Sequence, residues 1–151
     1  MARMFGIELV FAAVREGATF LEAASSLTEH PVSAIAVLAD DDRVVGIFGN
    51  DRLIHGLFPV YLVELHHTAF ATDDPAVLLR CASEAAAEPV NAHMSTPTNL
   101  DIDDSAMHVA EVLLHEEHDA LPVCKNGKFV GMLGRSEFGN AMLLRSQEAS
   151  G

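Results

Sequence analysis

The chain repeats itself. Thr19 to Val37 aligns without a gap on Ser105 to Val123, at an offset of 86 residues. Ala24 falls on Ala110, Leu27 on Leu113, Ala34 on Ala120 and Val37 on Val123. After a hairpin one residue shorter in the second copy, Val45-Gly46 falls on Val130-Gly131, and Gly49 on Gly134. Apolar positions match between these: Ile35 with Leu121, Ile47 with Met132, Phe48 with Leu133. A 151-residue chain built this way is two half-sized units. Units that small do not bury a sufficient core alone, so they are expected to share one.

Each copy has the same local grammar. Thr19 is a helix N-cap with Glu22 as its capping-box partner, and Phe20, Ala23, Ala24 and Leu27 recur at helical spacing. Ala34–Ala39 is an apolar run of strand length, Asp40-Asp41-Asp42 is a polar turn, and Val44–Phe48 is the return strand. Asn50 caps a helix to Phe58, which Pro59 ends. In the second copy Ser105 is the cap, and Val109, Ala110, Leu113 and Leu114 form the stripe. Leu121–Cys124 is the strand, and Asn126-Gly127 is a two-residue turn because both positions tolerate positive φ. Phe129–Leu133 returns, and Glu137–Leu144 is a closing helix. An extended segment leads into each copy, Leu9–Val14 and Thr98–Leu100. The unit is therefore β-α-β-β-α, present twice, and the expected class is α+β. The division reads as unit one over 1–59, a helical connector over 60–89, and unit two over 90–147.

Within the connector, Tyr61, Leu62 and Leu65 suggest a turn or two of helix ending at His66-His67. Asp73-Asp74-Pro75 opens a second helix, since acids suit a positive N-terminus and Pro suits the first turn. It runs Ala76–Ala87.

Charge excludes several classes. Nine Lys and Arg against 22 Asp and Glu give a formal net charge of −13. A nucleic-acid partner needs a basic patch, and an anionic membrane surface needs basic segments, so neither is expected. No apolar run approaches the ~20 residues of a membrane span, and Met1–Val14 lacks a signal-peptide pattern. Cys81 and Cys124 have no CxxC spacing and read as buried thiols of a reducing compartment. A soluble, cytoplasmic protein is the expectation.

The paired units resemble the CBS domain pair, the family named after cystathionine β-synthase. The residues carrying this are Glu22-Ala23-Ala24, Ser33–Val37 and Val44–Phe48 in the first copy. In the second they are Val109-Ala110-Glu111, Asp119–Val123 and Phe129–Leu133, after the lead-in His93-Met94-Ser95-Thr96-Pro97. The resemblance covers about Leu9 to Arg145 and leaves no room for a catalytic domain. It implies tandem modules packed with pseudo-two-fold symmetry, and a regulatory protein rather than an enzyme. It further implies an adenine nucleotide or related small molecule bound in a cleft between modules, a homodimer, and an unknown regulated protein. No cofactor or metal is expected beyond that nucleotide ligand. The alternative is a dimerisation or scaffold module that regulates a partner with no ligand of its own.

The family pattern after the last strand is Gly, two apolar residues, Thr or Ser, two variable residues, then Asp. A carboxylate at a helix start accepts from ribose hydroxyls, and the hydroxyl with backbone N–H groups holds phosphate. The first copy reads Gly46-Ile47-Phe48-Gly49-Asn50-Asp51-Arg52, and the second Gly131-Met132-Leu133-Gly134-Arg135-Ser136-Glu137. Both have Gly at the hydroxyl position. The first has Arg52 at the acid position, with Asp51 one residue early, and the second has Glu137. The candidate ligand residues are therefore Thr98, Pro122, Arg135, Ser136, Glu137, Asp51 and Arg52. In the ligand reading Glu137 takes the ribose, Ser136 and Thr98 stand in for the hydroxyl, and Arg52 or Arg135 pairs with a phosphate. In the other, these are ordinary helix-start residues, since Glu near a helix N-terminus is favourable without any ligand.

His108, Glu111, His115 and His118 share one helical face, which fits a metal site or, with Glu116 and Glu117 beside it, a solvated surface. The solvated surface is the expectation, with His118 partly in the core because it aligns on Val32. Met94, Met107, Met132 and Met142 read as core fillers.

Overall fold

The computed structural model describes residues 2–57 and 75–150. The chain opens with a small antiparallel hairpin, β1 (Arg3–Met4) and β2 (Ile7–Glu8). Phe5 and Gly6 turn it with φ of 54° and 77°. The first repeat unit follows: β3 (Ala13–Arg15), α1 (Phe20–Glu29), β4 (Ala34–Leu38), β5 (Val44–Gly49) and α2 (Asn50–Leu57). Then comes α3 (Pro75–Ala86) and a 3-10 turn at Val90–Ala92. The second unit is β6 (Leu100–Asp101), α4 (Ala106–His115), β7 (Ala120–Lys125), β8 (Lys128–Gly134) and α5 (Arg135–Ser150).

The two units match in detail. Each has a three-stranded sheet, β3-β4-β5 and β6-β7-β8, with a parallel first pair and an antiparallel second pair. Val14 pairs with Val37 as Leu100 pairs with Val123, and the antiparallel register shifts at Val37/Leu38 and again at Val123/Cys124. Thr19 and Ser105 cap α1 and α4, each accepting from the N–H three residues on at 3.1 Å. Asn126 and Gly127 turn the second hairpin with φ of 54° and 80°, as a type I′ turn requires. The middle strand of each sheet is buried along its length from Ala34 to Leu38 and from Ala120 to Cys124.

A single hydrophobic core runs through both units. Phe20 on α1 meets Phe48 on β5 edge-on, with ring centres 5.4 Å apart. The lead-in segments cross over. Val10 exchanges two backbone hydrogen bonds with Met132 of the second unit, at 3.2 and 2.7 Å. Ser95 does the same with Ile47 of the first, at 3.0 and 2.9 Å. Leu9 lies over Gly131 and Met94 over Gly46, where any Cβ would collide with them. Each unit is thus completed by the other, which is why the glycines recur at both places. The residues preceding β6 are also bound to the first unit: Phe20 N–H donates to Glu88 O, and Val90 N–H to Ala18 O, both at 2.7 Å.

Several expectations change. α5 continues past Leu144 to Ser150. Asn50 is the first helical residue of α2 rather than a cap before it. Met107 and Leu114, expected in the core, are 81% and 79% exposed. They fall on the outer side of α4, whose buried residues are Val109 and Leu113. The turn at Tyr61–His67 and the Phe58-Pro59 helix end lie outside the described residues. Among the described residues no helix is long and apolar enough to cross a membrane.

Candidate functional site

A cavity of about 730 Å³ opens between the units. That is the size of a small-molecule site. The first unit supplies His30, Pro31, Val32 and Ser33 from the loop before β4, and Asn50 at the start of α2. The second supplies Asp119 and Ala120 entering β7, Met132 and Gly134 of β8, and Ser136 and Glu137 in the first turn of α5. The opening hairpin adds Ile7 and Glu8, and the crossing segment adds Val10.

Backbone ties hold these walls. Asn50 N–H donates to Ser33 O at 3.1 Å, and at the equivalent place Arg135 N–H donates to Asp119 O at 2.7 Å. Each tie fixes a helix start against the entry of a middle strand. His30 Nδ1 lies 2.7 Å from Ser26 O. A carbonyl only accepts, so Nδ1 carries the proton and Nε2 is left as the acceptor of the neutral ring.

The expected site residues separate. Ser136 and Glu137 line this cavity. Arg135 is committed elsewhere: its Nη2 donates to Glu116 O and to His118 O, the latter at 2.9 Å, and its Nε lies 3.5 Å from Asp119 Oδ1. It clamps the loop before β7. Pro122 is buried in β7 opposite Met132, and Thr98 is half-buried ahead of β6; neither lines the cavity. Asp51 and Arg52 sit exposed at the start of α2, 3.9 Å apart. The repeat offset makes them the counterparts of Ser136 and Glu137, yet neither lines this cavity, although the adjacent Asn50 does. The repeat likewise relates Val10 to Ser95 and Val32 to His118. There the Ser95 hydroxyl donates to Ile47 O at 3.2 Å and lies 3.0 Å from His118 Nε2.

His30, Ser33, Asn50 and Glu8 were not anticipated as site residues. The repeat itself held the clue for two of them, because Ser33 is the counterpart of Asp119, and Asn50 of Arg135. Glu8 precedes the repeated unit and carried no such signal.

Among the described residues no group of three His, Cys, Asp or Glu side chains could hold a metal ion. His108 lies 3.8 Å from Asp104, and half its side chain is exposed. Burial, aided by the Asp101 carboxylate, pushes the Cys124 thiol above its ordinary 9.0, so it stays neutral at physiological pH. A neutral buried thiol is a poor nucleophile.

The family model for the CBS domain matches the chain twice, at residues 10–58 and 90–143. No curated protein matches it. Among solved structures it is similar to a CBS domain-containing protein from Kribbella flavida, with a TM-score of 0.72 and 17% identity over 89% of this chain and 93% of that one. It is also similar to the CBS domain of a membrane protein from Sphaerobacter thermophilus, with a TM-score of 0.68 and 20% identity over 89% and 82%. A third is a Pyrobaculum aerophilum CBS domain protein complexed with AMP, with a TM-score of 0.66 and 20% identity over 92% of each chain.

Proposed function

Because the chain belongs to the CBS domain family, we propose that it is a regulatory module that senses an adenosine-containing small molecule held between its two units. The observation that carries this is the cavity, whose walls come from matching elements of both units. A ligand touching both can favour one relative placement of the units and so report to a partner. AMP in the structures of two similar proteins supports the ligand class.

Thermal unfolding checks it. Millimolar AMP, ADP, ATP, S-adenosylmethionine and NAD are added in turn. A compound present at 100 times its Kd stabilises by about 2.7 kcal/mol, which for a domain of this size raises Tm by roughly 5–10 °C. No rise with any of them refutes the sensor. A scaffold without a ligand of its own would then stand, a reading that Gly49 and Gly134 in place of hydroxyl residues favour.

The module functions as a homodimer in this proposal. Leu21 and Met107 are repeat counterparts and are 58% and 81% exposed, with Leu114 at 79% beside Met107's end of the surface. A second copy is the occupant that would cover two such related faces. Sedimentation should show a dimer at micromolar concentration, and Met107→Glu with Leu114→Glu should convert it to a monomer. A monomeric wild type overturns this.

A further inference from the structure

We propose that the cavity takes adenosine compounds whose 5′ substituent is positively charged or neutral, and rejects those bearing a phosphate. This rests on the reading of the cavity as an adenosine site and specifies its ligand.

Charge on the walls is the first argument. Glu8, Asp119 and Glu137 line the cavity, and among its described lining residues there is no Lys or Arg. Asp119 is paired with Arg135. Among the described residues neither Glu8 nor Glu137 has an ion-pair partner. Two exposed carboxylates facing the cavity, with Arg3 across the hairpin from Glu8 as the nearest cross-strand cation, repel a phosphate and attract a cation most strongly at low ionic strength.

The cation a phosphate would need is already used. Arg135 Nη2 donates to both Glu116 O and His118 O and its guanidinium sits against Asp119, although its buried Nε has no hydrogen-bond partner among the described residues. Releasing it would leave two carbonyls of that loop without their donor.

The glycine at the hydroxyl position is the third argument. A Cβ on Gly134 would overlap the Glu137 carboxylate. Gly134 therefore does more than omit a hydroxyl: it gives a carboxylate the space a phosphate-binding side chain would fill. The arrangement recurs in the first unit, where an Asp51 oxygen lies 3.1 Å from the Cβ position of Gly49. Glu8 comes from the opening hairpin, outside the segments that match the family model. Glu8 is thus an addition of this chain, whereas Glu137 stands at the family pattern's own acid position. The carboxylates do not form a metal-binding group either.

Calorimetry with one ligand series tests it, in low salt and without divalent cations. The series is 5′-amino-5′-deoxyadenosine, adenosine and AMP, which differ at one position and run from a cation to a dianion. The amine is expected to bind at least tenfold tighter than AMP, with adenosine between. Raising the salt should narrow the gap, because screening shortens the reach of the carboxylates. Glu8→Gln with Glu137→Gln should narrow it too, with Tm unchanged, since both side chains are exposed. Gly134→Ser, which displaces Glu137, should improve AMP relative to the amine. AMP binding the wild type as tightly as the amine overturns the charge rule and leaves the adenosine site standing. Binding of none of the three overturns both.

Discussion

Residues 1–57 and 75–151, produced as separate chains, are each expected to be unfolded, and to fold when mixed. The crossed lead-in segments are the reason. Without the second half, Leu9 loses its seat on Gly131 and Val10 its two hydrogen bonds to Met132. Without the first, Met94 loses Gly46 and Ser95 loses Ile47. The buried faces of β4 and β7 also belong to one core. Exposing each large apolar side chain costs about 1.5–3 kcal/mol, and the stability of a whole domain is about 5–15 kcal/mol. A handful of exposed core residues therefore exceeds what a half could retain. Far-UV circular dichroism of each fragment should show no cooperative thermal transition, and an equimolar mixture should regain one. Cooperative melting of either fragment alone would contradict the shared core.

Phe20→Ala should be the most damaging single truncation. Phe20 is 2% exposed and meets Phe48 and His93, with ring centres 5.4 and 4.8 Å away. Gly56 on α2 leaves room for its ring edge, since a Cβ there would collide with it. One side chain thus joins α1, β5, α2 and the segment before β6. Removing a buried phenyl ring that cannot be replaced by collapse costs about 3–5 kcal/mol. At roughly 2–4 °C per kcal/mol for this size, Tm should fall by roughly 6–20 °C. Leu143→Ala, on α5 and 64% exposed, should change stability by no more than about 0.5 kcal/mol. Equal losses in the two variants would show that Phe20 is not the junction described.

Much of the fold was legible because the repeat doubles every signal. Thr19 and Ser105 each mark a helix start, and the Asn126-Gly127 turn has one geometry available to it. The opening hairpin was not legible. Its strands are two residues long, too short to show alternation, and it has no counterpart in the second unit. The crossing of Leu9 and Met94 was hidden for another reason. Their glycine partners are far along the chain, so the alignment displayed Gly46 and Gly131 without saying what lies over them. Met107 and Leu114 misled because an apolar side chain on a helix says nothing by itself about which face it occupies.

The site was legible in part. The pattern after β8 led to Ser136 and Glu137, because the spacing from strand end to helix start is local. It also led to Arg135 as a phosphate partner, and there tertiary contacts decide: Glu116 and His118 offer carbonyls that no local pattern reveals. Pro122 lies within β7 and Thr98 ahead of β6, and neither belongs to the cavity wall.

The crossed lead-ins also bear on how the chain is made. Val10 is synthesised long before its partner Met132. The first unit emerges complete in sequence but without the segment that Met94 and Ser95 must provide. The first unit therefore cannot finish folding as it emerges: the nascent chain carries an open β5 edge until Ser95 is out and an unsatisfied Leu9 until Gly131 is out. Pausing between Ser95 and Gly131 would prolong the exposure of Leu9, whereas pausing before Leu9 is made would not.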